Sequence, residues 1–232
     1  MRVLIADDHP LFREALASVI AEMSAEAVCL DAASFDETFA TVREAPDLDL
    51  ILLDLTMPGA EGLTGLGLLR HAAPAIPVVV VSATAERRTV LEALRAGAVG
   101  YLPKSASRST MITALQMVLA GGVYVPGDVI RAGAADALED LGGDGRIGPA
   151  GLATLTRKQL QVLECLARGL SNKEIARALS LAEPTVKTHV SALLRKLHLR
   201  SRAQAIVAAG SLDFSRLRPP EPSAVQPSRG DG

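Results

Sequence analysis

Short aliphatic runs recur along the first half of the chain: VLIA at 3–6, AVCLDA at 27–32, LILLD at 50–54, PVVVVS at 77–82 and VGYL at 99–102. Runs this dense in Val, Ile and Leu fit strands buried on both faces of a parallel sheet. Between them lie amphipathic stretches over 10–23, 34–45, 62–72, 85–96 and 106–120. Five strands alternating with five helices predict a doubly wound, flavodoxin-like α/β unit with a five-stranded parallel sheet over 1–122. In such a fold the functional site lies beyond the carboxyl ends of the strands.

The pattern changes at Gly121. Gly, Ala and Asp dominate as far as Thr154, with GGDGRIGPAG near the end. That composition predicts a linker over 123–153, with a short helix around 130–141. From Leu155 the periodicity is helical, and three capping boxes mark helix starts: Thr156 with Gln159, Ser171 with Glu174, and Ser201 with Gln204. Four helices follow, over 156–167, 171–178, 184–197 and 201–209, in a small all-α unit spanning 154–211. The remainder, 212–232, with four prolines and little apolar content, is expected to be a disordered tail.

Composition adds three constraints. Hydrophobic residues make up 49% of the 232, enough for real cores, but aromatics are only 3% and Trp is absent. The cores must therefore be aliphatic. Cys29 and Cys165 stand alone, which predicts reduced thiols in a cytosolic protein. Asp7 and Asp8 interrupt the N-terminus too early for a signal peptide, and no apolar run approaches the ~20 residues of a membrane helix. A soluble, cytoplasmic protein is expected.

Charge is unevenly spread. Residues 1–122 carry nine Lys and Arg against 15 Asp and Glu, a net −6, whereas 151–211 carry ten against three, a net +7. An acidic unit joined to a compact basic one points to a nucleic-acid partner for the second.

The first unit holds candidate chemistry at its predicted strand ends. Asp7 and Asp8 end the first strand, Asp54 the third and Ser82 the fourth, and Lys104 follows the fifth. All meet at one edge of the sheet. Clustered carboxylates repel unless a cation joins them, and Mg²⁺ suits oxygen ligands that leave room for phosphate oxygens. An Asp beside such a metal can accept a phosphoryl group as nucleophile. Lys104 and Ser82 would hold the phosphoryl oxygens. An Asp-based phosphohydrolase uses similar groups, but it needs a general acid/base two residues after its nucleophile. Thr56, which stands two residues after Asp54, cannot serve. Nor does the sequence offer a substrate-covering cap, so no enzyme is predicted.

The segments ADDHP, LLDLTMPG, VVVSA and GAVGYLPKS resemble the signature segments of NarL/FixJ-type response-regulator receiver domains. The resemblance implies that Asp54 is the phosphoacceptor and that Asp8, supported by Asp7, binds Mg²⁺ with the Thr56 carbonyl. It implies that Ser82 and Tyr101 form the switch pair, that Lys104 pairs with phosphate, and that the Lys104–Ser105 peptide is cis. Two departures are visible: Glu61 stands where Asp is more usual, and GLTGLGLLR carries extra glycines that should weaken the third helix.

In the second unit the helix over 184–197 is the informative one. Val186, Val190, Leu193, Leu194 and Leu197 share one face, and Lys187, Thr188, Ser191 and Arg195 the other, with His189 and Lys196 at its edge. Such a polar, basic face can approach base edges in the major groove. The whole segment resembles the LuxR-type helix-turn-helix. That implies that Lys187, Thr188 and Ser191 meet bases, and that Asn172, Lys173, Thr185 and His189 meet phosphates. Ala182 stands where the family usually offers a Ser or Thr cap, partly offset by Glu183 and Pro184. The function predicted is a transcription regulator phosphorylated on Asp54 by a sensor histidine kinase. One such unit makes a small interface, so a homodimer on paired half-sites is expected once phosphorylated. Ala203, Ile206, Val207 and Ala209 of the last helix would be available for pairing. The opposite charges further predict that the receiver covers the reading helix until phosphate intervenes.

Overall fold

A computed structural model describes residues 1–59, 62–131, 147–199, 202–210, 212 and 214. The receiver unit alternates as predicted: β1 Arg2–Ala6, α1 Pro10–Met23, β2 Val28–Ala32, α2 Phe35–Glu44, β3 Leu50–Asp54, α3 Leu63–Ala72, β4 Val78–Ser82, α4 Arg87–Arg95, β5 Gly100–Pro103 and α5 Arg108–Leu119. All strand pairs are parallel, in the order β2-β1-β3-β4-β5. β3 and β4 are buried at every position, as strands covered by helices on both faces must be. Alternation of side chains splits the core into two layers. Leu4, Ile51, Leu53, Val78 and Val80 face α2, α3 and α4, while Val3, Ile5, Leu50, Leu52, Val79 and Val81 face α1 and α5. α3 forms over its whole predicted length despite Gly65 and Gly67, because Leu66 and Leu69 are fully buried in that core.

The receiver layer continues past 122. Tyr124 exchanges hydrogen bonds with Val99 and Tyr101 along the free edge of β5. Val125 and Val129, the latter on the short helix α6 (Gly127–Arg131), are buried in the receiver core. Of the helix expected over 130–141, only 130–131 are described, as the end of α6, and Glu61, the cap Ser201 and most of the tail lie outside the described residues.

The second unit comprises α7 Pro149–Ala153, α8 Arg157–Ala167, α9 Asn172–Leu179, α10 Glu183–Lys196 and α11 Arg202–Gly210. Thr156–Gln159 and Ser171–Glu174 form both reciprocal bonds of the capping box. α10 starts at Ala182 with no side-chain cap, as its sequence requires. Its apolar face, with Val186, Val190, Leu193 and Leu194 fully buried, closes a separate core with Val162, Leu163, Leu166, Ile175 and Ala205.

The two units touch at the amino ends of the receiver strands. Ala75, in the loop before β4, joins the core of the helical unit. That loop is held by the buried Arg70, whose guanidinium donates to the carbonyls of Ala73, Pro74 and Ile76. Gly121 (φ +94°) lies so near Gly169 that a Cβ there would collide with the Gly169 carbonyl oxygen.

Candidate acidic pocket and DNA interface

At the carboxyl edge of the sheet, parallel register sets the ends of β1, β3 and β4 side by side: Ala6 is level with Leu53, and Asp54 with Val81. Asp7, Asp54 and Ser82 are at most 4% exposed there. The Lys104 ammonium reaches in from the end of β5, 2.8 Å from Asp54 Oδ2 and 2.7 Å from Asp7 Oδ2, and 5.0 Å from the centre of the Phe12 ring. Burial acts to lower the Lys104 pKa. The hydrogen bonds and charges of Asp54 and Asp7 outweigh it and hold the pKa above its ordinary value. Lys104 is thus a firmly charged counter-ion. Its backbone N–H donates to the Ser82 carbonyl at 2.7 Å. The Lys104–Ser105 peptide is trans, not the cis form expected, as are all described peptide bonds. A cis bond without proline costs about 3–4 kcal/mol, and the trans chain already brings Nζ to both carboxylates.

Thr56 donates to Asp54 Oδ1 from its backbone N–H at 3.0 Å and from its hydroxyl at 2.9 Å. Tyr101 is wholly buried and its hydroxyl donates to the Thr84 carbonyl at 2.6 Å, while the Thr84 N–H donates to Ser82 Oγ at 3.4 Å. The two expected switch residues are therefore linked through Thr84, which the sequence reading missed. Nothing local in the sequence marks Thr84, because the link depends on the β4–β5 pairing.

His9 was missed as well. Its backbone N–H donates to Asp7 Oδ1 at 2.9 Å, and its ring Nδ1 lies 3.1 Å from Asp7 Oδ1 and 2.8 Å from Asp8 Oδ1. Donor atoms of Asp7, Asp8, His9 and Asp54 all fall within 4.8 Å of one another, a group that could hold a metal ion. Of its oxygens, Asp7 Oδ2 is paired with the Lys104 ammonium at 2.7 Å, whereas Asp8 Oδ1 accepts no hydrogen bond, although it lies 2.8 Å from His9 Nδ1. An unsatisfied carboxylate oxygen among crowded acidic ligands fits a divalent cation.

The expected DNA residues divide. Lys173, Thr185 and Thr188 are exposed, and Asn172, His189 and Ser191 partly so. Lys187 is only 8% exposed. Its ammonium donates to the carbonyls of Asp47 at 3.0 Å and Leu48 at 2.8 Å, and lies 3.4 Å from the Asp49 carboxylate. The polar face of α10 is thus partly taken by the receiver. Asn172 accepts a hydrogen bond at 3.0 Å from Arg202, a buried guanidinium that burial pushes down to about 10. On α11, Ala209 is buried in the core of its own unit and is not available for pairing, whereas Val207 is exposed. Ala203 contributes no described side chain.

Among the described residues no helix is long and apolar enough to cross a membrane. Residues 3–116 match the response regulator receiver domain family, and residues 153–209 match the bacterial regulatory proteins, luxR family. The chain is 48% identical over 92% of its length to the glycerol metabolism activator of Pseudomonas putida, covering 97% of that protein. It is 35% identical over 88% of its length to the nitrate/nitrite response regulator protein NarL of Escherichia coli, covering 93%. Its fold resembles that of Salmonella typhimurium RcsB (TM-score 0.52, 21% identity, 91% of this chain and 98% of the other). A LuxR family DNA-binding response regulator from Silicibacter pomeroyi matches 55% of this chain and 98% of its own at 30% identity and TM-score 0.50. A five-stranded receiver, a helical reading unit and relatives aligned end to end across both establish that the chain belongs to the two-component response regulators that carry a LuxR-family DNA-binding domain.

Proposed function

We propose that this protein is a cytoplasmic transcription regulator whose DNA binding is switched by phosphorylation of Asp54. The observation that carries the reading is Lys187, a base-reading candidate held by receiver carbonyls in the unmodified chain. At the other end of the sheet, a sensor histidine kinase would supply the phosphoryl group. The N–P bond of its phosphohistidine breaks as an O–P bond forms at an Asp54 carboxylate oxygen. Asp7, Asp8, Asp54 and the Thr56 carbonyl would hold Mg²⁺, which shields the phosphoryl charge. Lys104, shared between Asp54 and Asp7, pairs with the new phosphoryl oxygens, and Ser82 donates to another. Drawing Ser82 Oγ toward phosphate removes the acceptor of the Thr84 N–H, and Tyr101 follows through its bond to the Thr84 carbonyl. The closed arrangement is thereby disfavoured, a population shift that frees α10 for bases and favours a homodimer on paired half-sites. Lys187, Thr188 and Ser191 then read bases, while Asn172, Lys173, Thr185 and His189 meet phosphates.

The test uses the full chain with acetyl phosphate and Mg²⁺. Mass spectrometry should map an acyl phosphate to Asp54, and DNA affinity should rise with labelling. An Asp54→Asn variant should lose essentially all label and the rise. Full labelling of that variant would remove Asp54 from the role, and equal affinity of labelled and unlabelled wild type would remove the switch.

A further inference from the structure

The sequence ADDHP sets His9 in an unusual position. Pro10 confines its preceding residue to extended backbone, and His9 (φ −92°, ψ 105°) obeys. As the N-cap of α1 it makes no side-chain cap bond. Its ring instead turns onto the pocket, where Nδ1 meets one oxygen each of Asp7 and Asp8. A neutral imidazole has one N–H, so Nδ1 can satisfy at most one of two anionic oxygens. Asp8 Oδ1, 2.8 Å from Nδ1, is left without a hydrogen bond. One cation could join all three groups. Two ligands at about 2.1 Å on a single ion lie about 3 Å apart at right angles, close to the separations observed here.

We propose that His9 makes this pocket a site for borderline divalent ions, Zn²⁺ foremost, in competition with Mg²⁺. The inference rests on the metal reading of the acidic pocket. Mg²⁺ favours oxygen and retains its waters, so it gains little from an imidazole. Zn²⁺ takes His nitrogen with carboxylate oxygen readily and stands far above the hard ions in affinity for such donors. His9 thus sets which ion fills the pocket.

Calorimetric titration of the full chain with Mg²⁺ alone and with Zn²⁺ alone tests this. Zn²⁺ should bind more tightly, and Mg²⁺ should weaken its apparent affinity. His9→Ala should weaken Zn²⁺ roughly 10- to 100-fold and leave Mg²⁺ within about twofold. On ¹⁵N-histidine spectra, the His9 Nδ1 resonance should move with Zn²⁺ and not with Mg²⁺. Asp8→Asn separates this site from His71, His189 and His198: a tight Zn²⁺ step that survives it lies elsewhere and overturns the proposal. Mg²⁺ binding with no Zn²⁺ advantage, or equal losses of both ions in His9→Ala, overturns the His9 role alone. Failure of either ion to bind wild type overturns the pocket's metal reading as well.

Discussion

In the receiver, Asp7, Asp54 and Ser82 lie almost wholly below the surface, fixed by the register of neighbouring strands. In the helical unit, Thr185, Thr188 and Arg195 stand exposed along one helix, fixed only by helical period. The difference follows from what each surface meets. A phosphoryl group is small, and its charge is best met by preorganised partners in a dry site. A base edge lies deep in a groove, so the groups that read it must project. A buried pocket is guarded by its own fold, whereas a projecting face stays ready unless something covers it. Here the cover is the receiver loop carrying Asp47, Leu48 and Asp49.

The sharpest way to break that comparison is to unfold one unit and leave the other. Leu193 is fully buried in the core of the helical unit. Leu193→Ala should cost about 2–5 kcal/mol in that unit alone. Denaturation followed separately by DNA binding and by Asp54 labelling should show the first lost well before the second. Coincident loss would mean that the two cores fold as one.

Lys187→Ala sharpens it next. If the ammonium reads a base, phosphorylated protein should lose about 1–3 kcal/mol of DNA affinity and discriminate less at one base position, as measured by titration against single-base variants of the site. Unchanged affinity and preference would leave the lysine with only its receiver contact.

Gly121→Ala acts on the cover itself. An L-residue at φ +94° is strained by about 1–2 kcal/mol, and its Cβ meets the Gly169 carbonyl. Opening of the two units should follow, seen as a larger radius of gyration in solution scattering and tighter DNA binding without phosphate. Asp54 labelling should persist. A compact variant that binds DNA no better would show that this contact does not hold the units together.

The smallest effect concerns Glu174. The Ser171 backbone N–H, then its hydroxyl, hold this carboxyl below the usual range against slight burial, with Arg177 and Arg202 helping. Its folded pKa lies under the unfolded value of about 4.3, so its stabilising contribution is present above that value. It is lost as pH falls through the folded pKa. Stability of the helical unit to thermal unfolding should fall on acidification through that window, and less so in Glu174→Gln. Identical pH profiles would remove the carboxylate from the cap.

Much of this was legible in the chain. Aliphatic runs placed the five strands within a residue or so, and β3 and β4, buried at every position, left an unbroken apolar record. The strand-end rule then gathered Asp7, Asp8, Asp54, Ser82 and Lys104. What escaped depends on partners distant in sequence. Lys187 reads as an exposed lysine because the Asp49 carboxylate that meets it lies 138 residues earlier. Val125 and Val129 sit in a glycine-rich stretch too short to show a period, yet they finish the receiver core. His9 carried a signal, the Asp-Asp-His-Pro order with its constrained backbone, but a lone imidazole shows its neighbours only once the turn is built.

β3 joins the two functional ends of the receiver: Leu48 and Asp49 just before it meet Lys187, and Asp54 closes it about 17 Å beyond Asp49. This interior strand, buried at every position, ties the two ends together. Thermodynamic reciprocity then binds them. Whatever factor an unreactive phosphoryl mimic at Asp54 adds to DNA affinity, operator DNA must add to the affinity for that mimic. If phosphate on Asp54 raises DNA affinity as proposed, operator DNA is an effector of the switch as well as its target.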